Sequence, residues 1–214
     1  MTEEVIVHVV DDDDAIRIAL SGLLRSVGYG IRSHATALEF LKATLPDAPG
    51  CIVLDVRLPG TSGLELQEHL NKIDVGLPLV LMSGHGDIPM SVRAMKAGAV
   101  DFLTKPFREQ DMLDAVCSAV ELHRSRRAHI LRASVLRARH DRLSRRETQV
   151  MTLACAGKLN KQIAAELGIQ VITVKVHRAK VMKKMEATSL AELARMAQIL
   201  DTGDADLSRG IGGT

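Results

Sequence analysis

Apolar residues in the first half of the chain come in short unbroken runs, each ending in a polar residue. Val5-Ile6-Val7-His8-Val9-Val10 ends at Asp11-Asp12-Asp13-Asp14, and Cys51-Ile52-Val53-Leu54 runs into Asp55, with Pro59-Gly60 just beyond. Pro78-Leu79-Val80-Leu81-Met82 ends at Ser83-Gly84, and Val100-Asp101-Phe102-Leu103 ends at Thr104-Lys105-Pro106. Short β-branched runs bounded by turn residues predict strands, and runs apolar throughout predict strands covered on both faces. A further strand is expected over Gly30-Ile31-Arg32-Ser33-His34. Between these runs the apolar residues change to helical spacing. Helices are expected from Ala15 to a stop at Gly28, from Ala37 to Leu45, from about Gly63 through Leu70, and over Met90 to Ala97 before Gly98. Strand and helix alternating five times predict an α/β doubly wound, five-stranded parallel sheet.

After Asp111 the strand-like runs disappear. Met112, Leu113, Val116, Ala119 and Val120 have helical spacing, and no Gly or Pro interrupts the chain to about Leu136, so one amphipathic linker helix is expected. It could be a solvated spacer, or it could help pair two copies. Ser144 followed by Glu147 forms a capping-box signature for a helix ending near Gly157. Asn160–Leu167, a turn at Gly168, and Ile172–Met185 form two helices joined by a short glycine turn, the helix-turn-helix pattern. A last helix is expected over Ser189–Ala197, followed by a Gly- and Asp-rich tail, 201–214, expected to fray. The expected division is a first domain over 1–122, a helical linker over 123–141, and an all-α helix-turn-helix DNA-binding domain over 142–200.

Charge supports this division. The 214 residues carry a formal net charge of +2. Residues 1–122 hold 10 Lys and Arg against 18 Asp and Glu, a net −8, while residues 123–214 hold 18 against 8, a net +10. The second half is therefore suited to a polyanion. Cys51, Cys117 and Cys155 lack metal-ligand spacing and sit in apolar patterns, so buried free thiols in a reducing compartment are expected. The acidic N-terminus is unlike a secretory signal, and no apolar run reaches the ~18 residues of a membrane span, so a cytoplasmic protein without a membrane partner is expected.

Candidate chemistry collects where the strands end. Open α/β sheets bind ligands at the carboxyl ends of their strands, and Asp11, Asp12, Asp55, Ser83 and Lys105 all fall there. Asp13 and Asp14 suit the first turn of a helix, whereas Asp11 and Asp12 would repel each other without a nearby cation. Three carboxylates suit a hard divalent ion such as Mg²⁺, and a lysine with a hydroxyl suits a phosphoryl group beside it. Alone, Asp55 could simply end a turn, and Lys105-Pro106 could be a turn with a cis bond.

Val10-Asp11-Asp12, Leu54-Asp55, Leu58-Pro59, Ser83-Gly84 and Lys105-Pro106 resemble the receiver domain of two-component response regulators, which has a flavodoxin-like fold. The stretch from Ser83 through Met90, with Ala94-Met95-Lys96-Ala97-Gly98-Ala99-Val100-Asp101-Phe102, resembles the FixJ branch. The resemblance implies that Asp55 accepts a phosphoryl group from a sensor histidine kinase. Asp11, Asp12, Asp55 and the backbone carbonyl of Arg57 would hold Mg²⁺. Lys105 would pair with the phosphoryl oxygens, and Ser83 and Phe102 would form the switch. Arg57 and His85 are candidates for tuning acyl-phosphate hydrolysis, or else ordinary solvated side chains.

In the second half, Leu143-Ser144-Arg145-Arg146-Glu147, Gly157, Asn160-Lys161-Gln162-Ile163-Ala164, Leu167-Gly168-Ile169 and Thr173-Val174-Lys175-Val176-His177-Arg178 resemble the LuxR/FixJ/NarL DNA-binding domain. The resemblance implies that Lys175, Val176 and Ala179 face base edges. Asn160, Lys161, Thr173, His177, Arg178 and Lys180 would lie near phosphates. It also implies a homodimer on phosphorylation, bound to double-stranded promoter DNA, with RNA polymerase as a further partner. Two other readings remain. A phosphohydrolase with an aspartyl nucleophile would carry a second Asp two residues on, where this chain has Arg57. A constitutive DNA-binding protein would have no need of all five strand-end residues.

Overall fold

The computed structural model describes residues 4–84 and 88–210, with side chains through 201. The chain divides into two compact units, the first ending at Arg127 and the second beginning at Ala128. In the first, β1 (Ile6–Val10), β2 (Gly30–His34), β3 (Gly50–Asp55), β4 (Leu79–Ser83) and β5 (Asp101–Thr104) alternate with α1 (Asp14–Ser26), α2 (Ala37–Lys42), α3 (Gly63–Lys72), α4 (Ile88–Lys96) and α5 (Glu109–His140). The strands form one parallel sheet in the order β2-β1-β3-β4-β5. The order reverses direction between β1 and β3, the position where doubly wound sheets open a crevice.

All six residues of β3 are buried. Side chains alternate across a strand, so the sheet feeds two cores. Val7, Val9, Cys51, Val53, Val80 and Met82 pack with Leu20, Leu24, Met112, Val116 and Val120 from α1 and α5. Val10, Ile52, Leu54 and Leu81 pack with Phe40, Leu64, Leu66, Leu70 and Ala94 from α2, α3 and α4. Cys51 is buried as expected, but Cys117 is exposed and Cys155 only half-buried. The inward stripe of α5 is Met112, Ala115, Val116, Ala119 and Val120, and Cys117 falls off it by helical rotation.

Two close approaches demand glycine. A Cβ on Gly50 would stand 1.9 Å from the Ile6 carbonyl oxygen, across the β1–β3 pairing. The Gly50 N–H also donates to His123 Nδ1 on α5 at 2.9 Å. A Cβ on Gly63 would stand 2.3 Å from the Asp55 carbonyl oxygen, so glycine there lets α3 start directly against the end of β3. Ser62 caps that helix, with Glu65 closing the capping box.

A buried polar cluster lies within the second core. His8 Nδ1 and His34 Nε2 are 3.1 Å apart, and both rings meet Phe40 edge-on. One imidazole donates to the other, an arrangement that needs only neutral rings. Burial, then His34 and Arg32, lowers the His8 pKa to about 4. Burial also lowers that of His34, with Glu39 opposing and Arg32 adding to the shift.

The second unit contains the end of α5 with α6 (Arg145–Cys155), α7 (Asn160–Leu167), α8 (Val171–Met185) and α9 (Leu190–Gly210). Val150, Ala154, Ile163, Ala164 and Val174 form one core, and Met151, Val181, Met185 and Leu193 form the other. Ser144 and Glu147 make the expected capping box, and Glu147 also accepts a 2.7 Å bond from Lys184 near the end of α8. Lys184, then the Ser144 backbone, holds the Glu147 carboxyl down at about 2. Gly168, at φ 63°, ends α7 in a left-handed cap. α9 continues to Gly210, past the expected boundary at residue 200. No proline breaks that stretch, and a helical glycine such as Gly203 costs only about 1 kcal/mol relative to alanine.

Two outcomes follow from this packing. The unfolded chain protonates His8 near 6.5 and the folded chain only near 4, so stability is full above pH 6.5 and is lost as pH falls toward 4. Urea titrations across that window should show a loss approaching roughly 3 kcal/mol at its acid end. In ring-resolved NMR, His8 should remain neutral at pH 5. Gly50→Ala should destabilise the first unit by about 3 kcal/mol or more in the same titration, because backbone rather than a movable side chain blocks the new methyl.

Candidate functional site

The crevice above β1 and β3 brings together most of the strand-end residues named from the sequence. Val10 pairs with Leu54, so Asp11 and Asp55 emerge level on neighbouring strands. Ser83 pairs with Thr104, so Lys105 emerges one step beyond Ser83, and its backbone N–H donates to the Ser83 carbonyl at 2.8 Å. The Lys105-Pro106 peptide is cis. Lys105 Nζ donates to Asp11 Oδ2 at 2.7 Å and stands 3.4 Å from Asp55 Oδ1. That second separation is an ion pair without hydrogen-bond geometry, and Asp55 Oδ1 remains buried with no hydrogen-bond partner. Burial raises the Asp55 pKa, Lys105 opposes the rise, and Asp11 adds to it.

Asp11 is buried and anchored on several sides. Its Oδ1 accepts from the Asp13 N–H at 2.9 Å, and its backbone carbonyl accepts from Arg17 Nη1 at 2.6 Å. Asp13 caps α1 by accepting from the Ala15 N–H, and Asp14 sits in the first turn, paired with Arg17. Asp12 is exposed. Oxygen atoms of Asp11, Asp12 and Asp55 lie within 4.8 Å of one another. Two buried carboxylates, one exposed carboxylate and an unbonded buried oxygen fit a hard divalent cation, which takes oxygen ligands and retains water on its open side.

Alternation separates the strand-end residues by face. Asp11, Asp55 and Lys105 continue the parity of Val9, Val53 and Leu103, toward α1 and α5. Ser83 and Phe102 continue the parity of Leu81, toward α3 and α4. Ser83 is fully buried, and Phe102 is half-buried against the core that contains Met90 and Ala94. Arg57 is exposed, two residues beyond Asp55, where it forms an isolated bridge with Ser62. Its backbone hydrogen bond to Asp55 helps hold that carboxyl down. His85 lies outside the described residues. The sequence pattern does not single out Arg17, whose only signal is its i, i+3 spacing from Asp14.

In the second unit, α7, the turn at Gly168 and α8 form the helix-turn-helix. Val174, Val181 and Met185 face inward, leaving Lys175, Val176, Ala179 and Lys180 exposed on the opposite side. Lys161 is exposed at the start of α7, and Thr173 is half-buried in the first turn of α8. His177 is half-buried, with Nδ1 buried and lacking a hydrogen-bond partner. Asn160 and Arg178 bond to each other, Arg178 Nη1 donating to Asn160 Oδ1 at 2.6 Å.

Both units match known families. Residues 7–117 match the response regulator receiver domain, and residues 141–197 match the bacterial regulatory proteins of the luxR family. Nodulation protein W of Bradyrhizobium diazoefficiens is 52% identical over 195 residues, 91% of this chain and 86% of that one. Transcriptional regulatory protein FixJ of Azorhizobium caulinodans is 45% identical over 206 residues, 96% and 98% of the two chains. The solved structure of the response regulator StyR superposes with a TM-score of 0.80 at 47% identity, covering 91% of this chain and 98% of StyR. The chain belongs to the transcriptional response regulators that join a receiver domain to a luxR-family helix-turn-helix domain.

Proposed function

We propose that Asp55 is the phosphoacceptor and that its phosphorylation by a sensor histidine kinase controls binding of promoter DNA by the second unit. The observation that carries this reading is the Lys105 ammonium shared between Asp11 and Asp55, beside a buried Asp55 oxygen with no hydrogen-bond partner. In the transfer, an Asp55 carboxylate oxygen attacks the phosphorus of a phosphohistidine. The P–N bond breaks as the P–O bond forms, and the departing imidazole takes up a proton. Lys105 meets the negative oxygens of the arriving group, and the neighbouring sheet excludes water from one side of the site. Asp11, Asp12, Asp55 and the Arg57 carbonyl would hold Mg²⁺, which when bound neutralises charge on the phosphoryl oxygens.

The modification adds nearly two negative charges and three strong acceptors beside Ser83. Ser83 would bond the phosphoryl group, and Phe102, on the same face, would repack against the α4 side of the core. α4 exposes Ile88, Val92 and Met95 at helical spacing, an apolar row suited to pairing with a second copy once that face is remodelled. A homodimer would present two α8 helices to half-sites about one helical turn apart. Lys175, Val176 and Ala179 would read base edges, and Lys161, Thr173, His177 and Lys180 would lie near phosphates. The working division is a receiver over 1–122, a linker over 123–141 and a DNA-binding domain over 142–200. RNA polymerase is the partner through which a bound dimer would activate transcription in the cytoplasm. Among the described residues no helix is long and apolar enough to cross a membrane. Arg57, exposed where an aspartyl phosphohydrolase would place its second acid, disfavours an enzyme.

Incubation with acetyl phosphate should label the wild-type chain only when Mg²⁺ is present and should not label Asp55→Asn. Beryllofluoride with Mg²⁺ should convert wild type to a dimer with at least tenfold tighter DNA binding, as read by light scattering and gel shift. Equal DNA binding with and without the analogue would leave the receiver no gating role. The environment of Asp55 raises its pKa on balance, so it disfavours the charged form at neutral pH. Asp55→Asn should therefore melt a few degrees above wild type at pH 7, a stability the nucleophile forgoes. Added Mg²⁺ should raise the melting temperature of wild type more than that of Asp55→Asn.

A further inference from the structure

Asn160 and Arg178 differ from the other residues expected near DNA. The buried residues of α8 are Val174, Val181 and Met185, and Arg178 falls in their stripe, four residues after Val174 and three before Val181. The exposed Lys175, Val176, Ala179 and Lys180 lie on other sides of the helix. Arg178 Nη1 donates a 2.6 Å bond to Asn160 Oδ1 on the first residue of α7. Burial raises the thiol pKa of Cys155, the last residue of α6, and the Arg178 charge opposes that rise. One planar group thus links the start of α7 to the middle of α8.

We propose that Arg178, held by Asn160, is a positioning residue that fixes α8 against α7 and so determines which α8 side chains reach base edges, rather than a contact to DNA phosphate. The inference rests on the DNA-binding reading above and deepens it. A phosphate contact contributes to every sequence alike and to the salt dependence of binding. A positioning residue contributes only where α8 must meet particular bases, so its loss should lower specific binding alone.

The test uses the full chain with beryllofluoride and Mg²⁺, a duplex that this protein selects from a random-sequence pool, and a scrambled duplex of equal length. Arg178→Ala and Asn160→Ala should each weaken the selected duplex about tenfold, the typical loss of a hydrogen bond to a charged group. Affinity for the scrambled duplex and the slope of log K against log salt should not change. Asn160→Asp, which keeps an acceptor oxygen, should restore the specificity ratio lost in Asn160→Ala. A fall of about one in the salt slope, with equal losses on both duplexes and further loss in Asn160→Asp, would identify a phosphate contact and overturn the proposal. Losses that follow the folded fraction measured by circular dichroism would reduce the pair to packing and also overturn it. If wild type selects no duplex, the DNA-binding reading itself fails, and this inference fails with it.

Discussion

Two carboxylates and one ammonium, drawn into a crevice where water is scarce, set the terms for the first unit. Asp11 and Asp55 emerge level from adjacent strands, and unscreened like charges at that spacing repel strongly. Lys105, 2.7 Å from one and 3.4 Å from the other, is the permanent counter-charge. The rest of the unit holds this arrangement in place. Arg17 ties down the Asp11 backbone, and the absent side chain of Gly63 lets α3 begin against the Asp55 carbonyl. β3 is covered on both faces, so the carboxylate cannot retreat into solvent without moving the centre of the sheet. A site left with unbalanced negative charge and an unbonded oxygen is prepared for cationic and phosphoryl ligands.

The second unit solves a different problem with the same elements. Among its described residues it has no sheet, and its two small cores hold few large side chains, so polar staples carry a larger share of the geometry. Glu147 closes the cap of α6 and reaches Lys184 on α8, while Arg178 reaches Asn160 on α7. Each staple joins a helix end to α8. The exposed basic side chains of α8 can then serve a polyanion without also having to hold the fold.

The fold was legible because local and global signals agreed. Four strands were legible as short apolar runs ending in a polar residue, whereas the Gly30–His34 strand had only its place between two helices to mark it. Ser144–Glu147 announced a helix start that the structure closes on both sides. Asp11, Asp12, Asp55 and Lys105 were legible as a group because strand ends in a parallel sheet share one edge. What pattern alone could not reveal were pairings between distant residues. His8 reads as one polar residue in an apolar run, and only β1–β2 pairing shows that its partner is His34. Arg178 reads as one more basic residue on a basic helix, and only its inward stripe sets it apart. Cys117 misled because an apolar neighbourhood in sequence is not one in space: a single helical step from Val116 turns it to solvent. The apolar pattern also stopped short of the end of α9, which runs on to Gly210 because one helical glycine does not end a helix.

The parallel register of the sheet also bears on how such a chain can diverge. Asp11, Asp55, Ser83 and Lys105 are positioned by pairing between strands, and a slip of one residue on any strand would turn its terminal side chain to the opposite face. A codon gained or lost within β1, β3, β4 or β5 would therefore dismantle the crevice, even if every residue of it survived. The connections on the far edge of the sheet, such as the stretch between α2 and β3, are under no comparable restriction. Drift in length should accumulate there, while the strands change only by exchanging one buried side chain for another of similar volume.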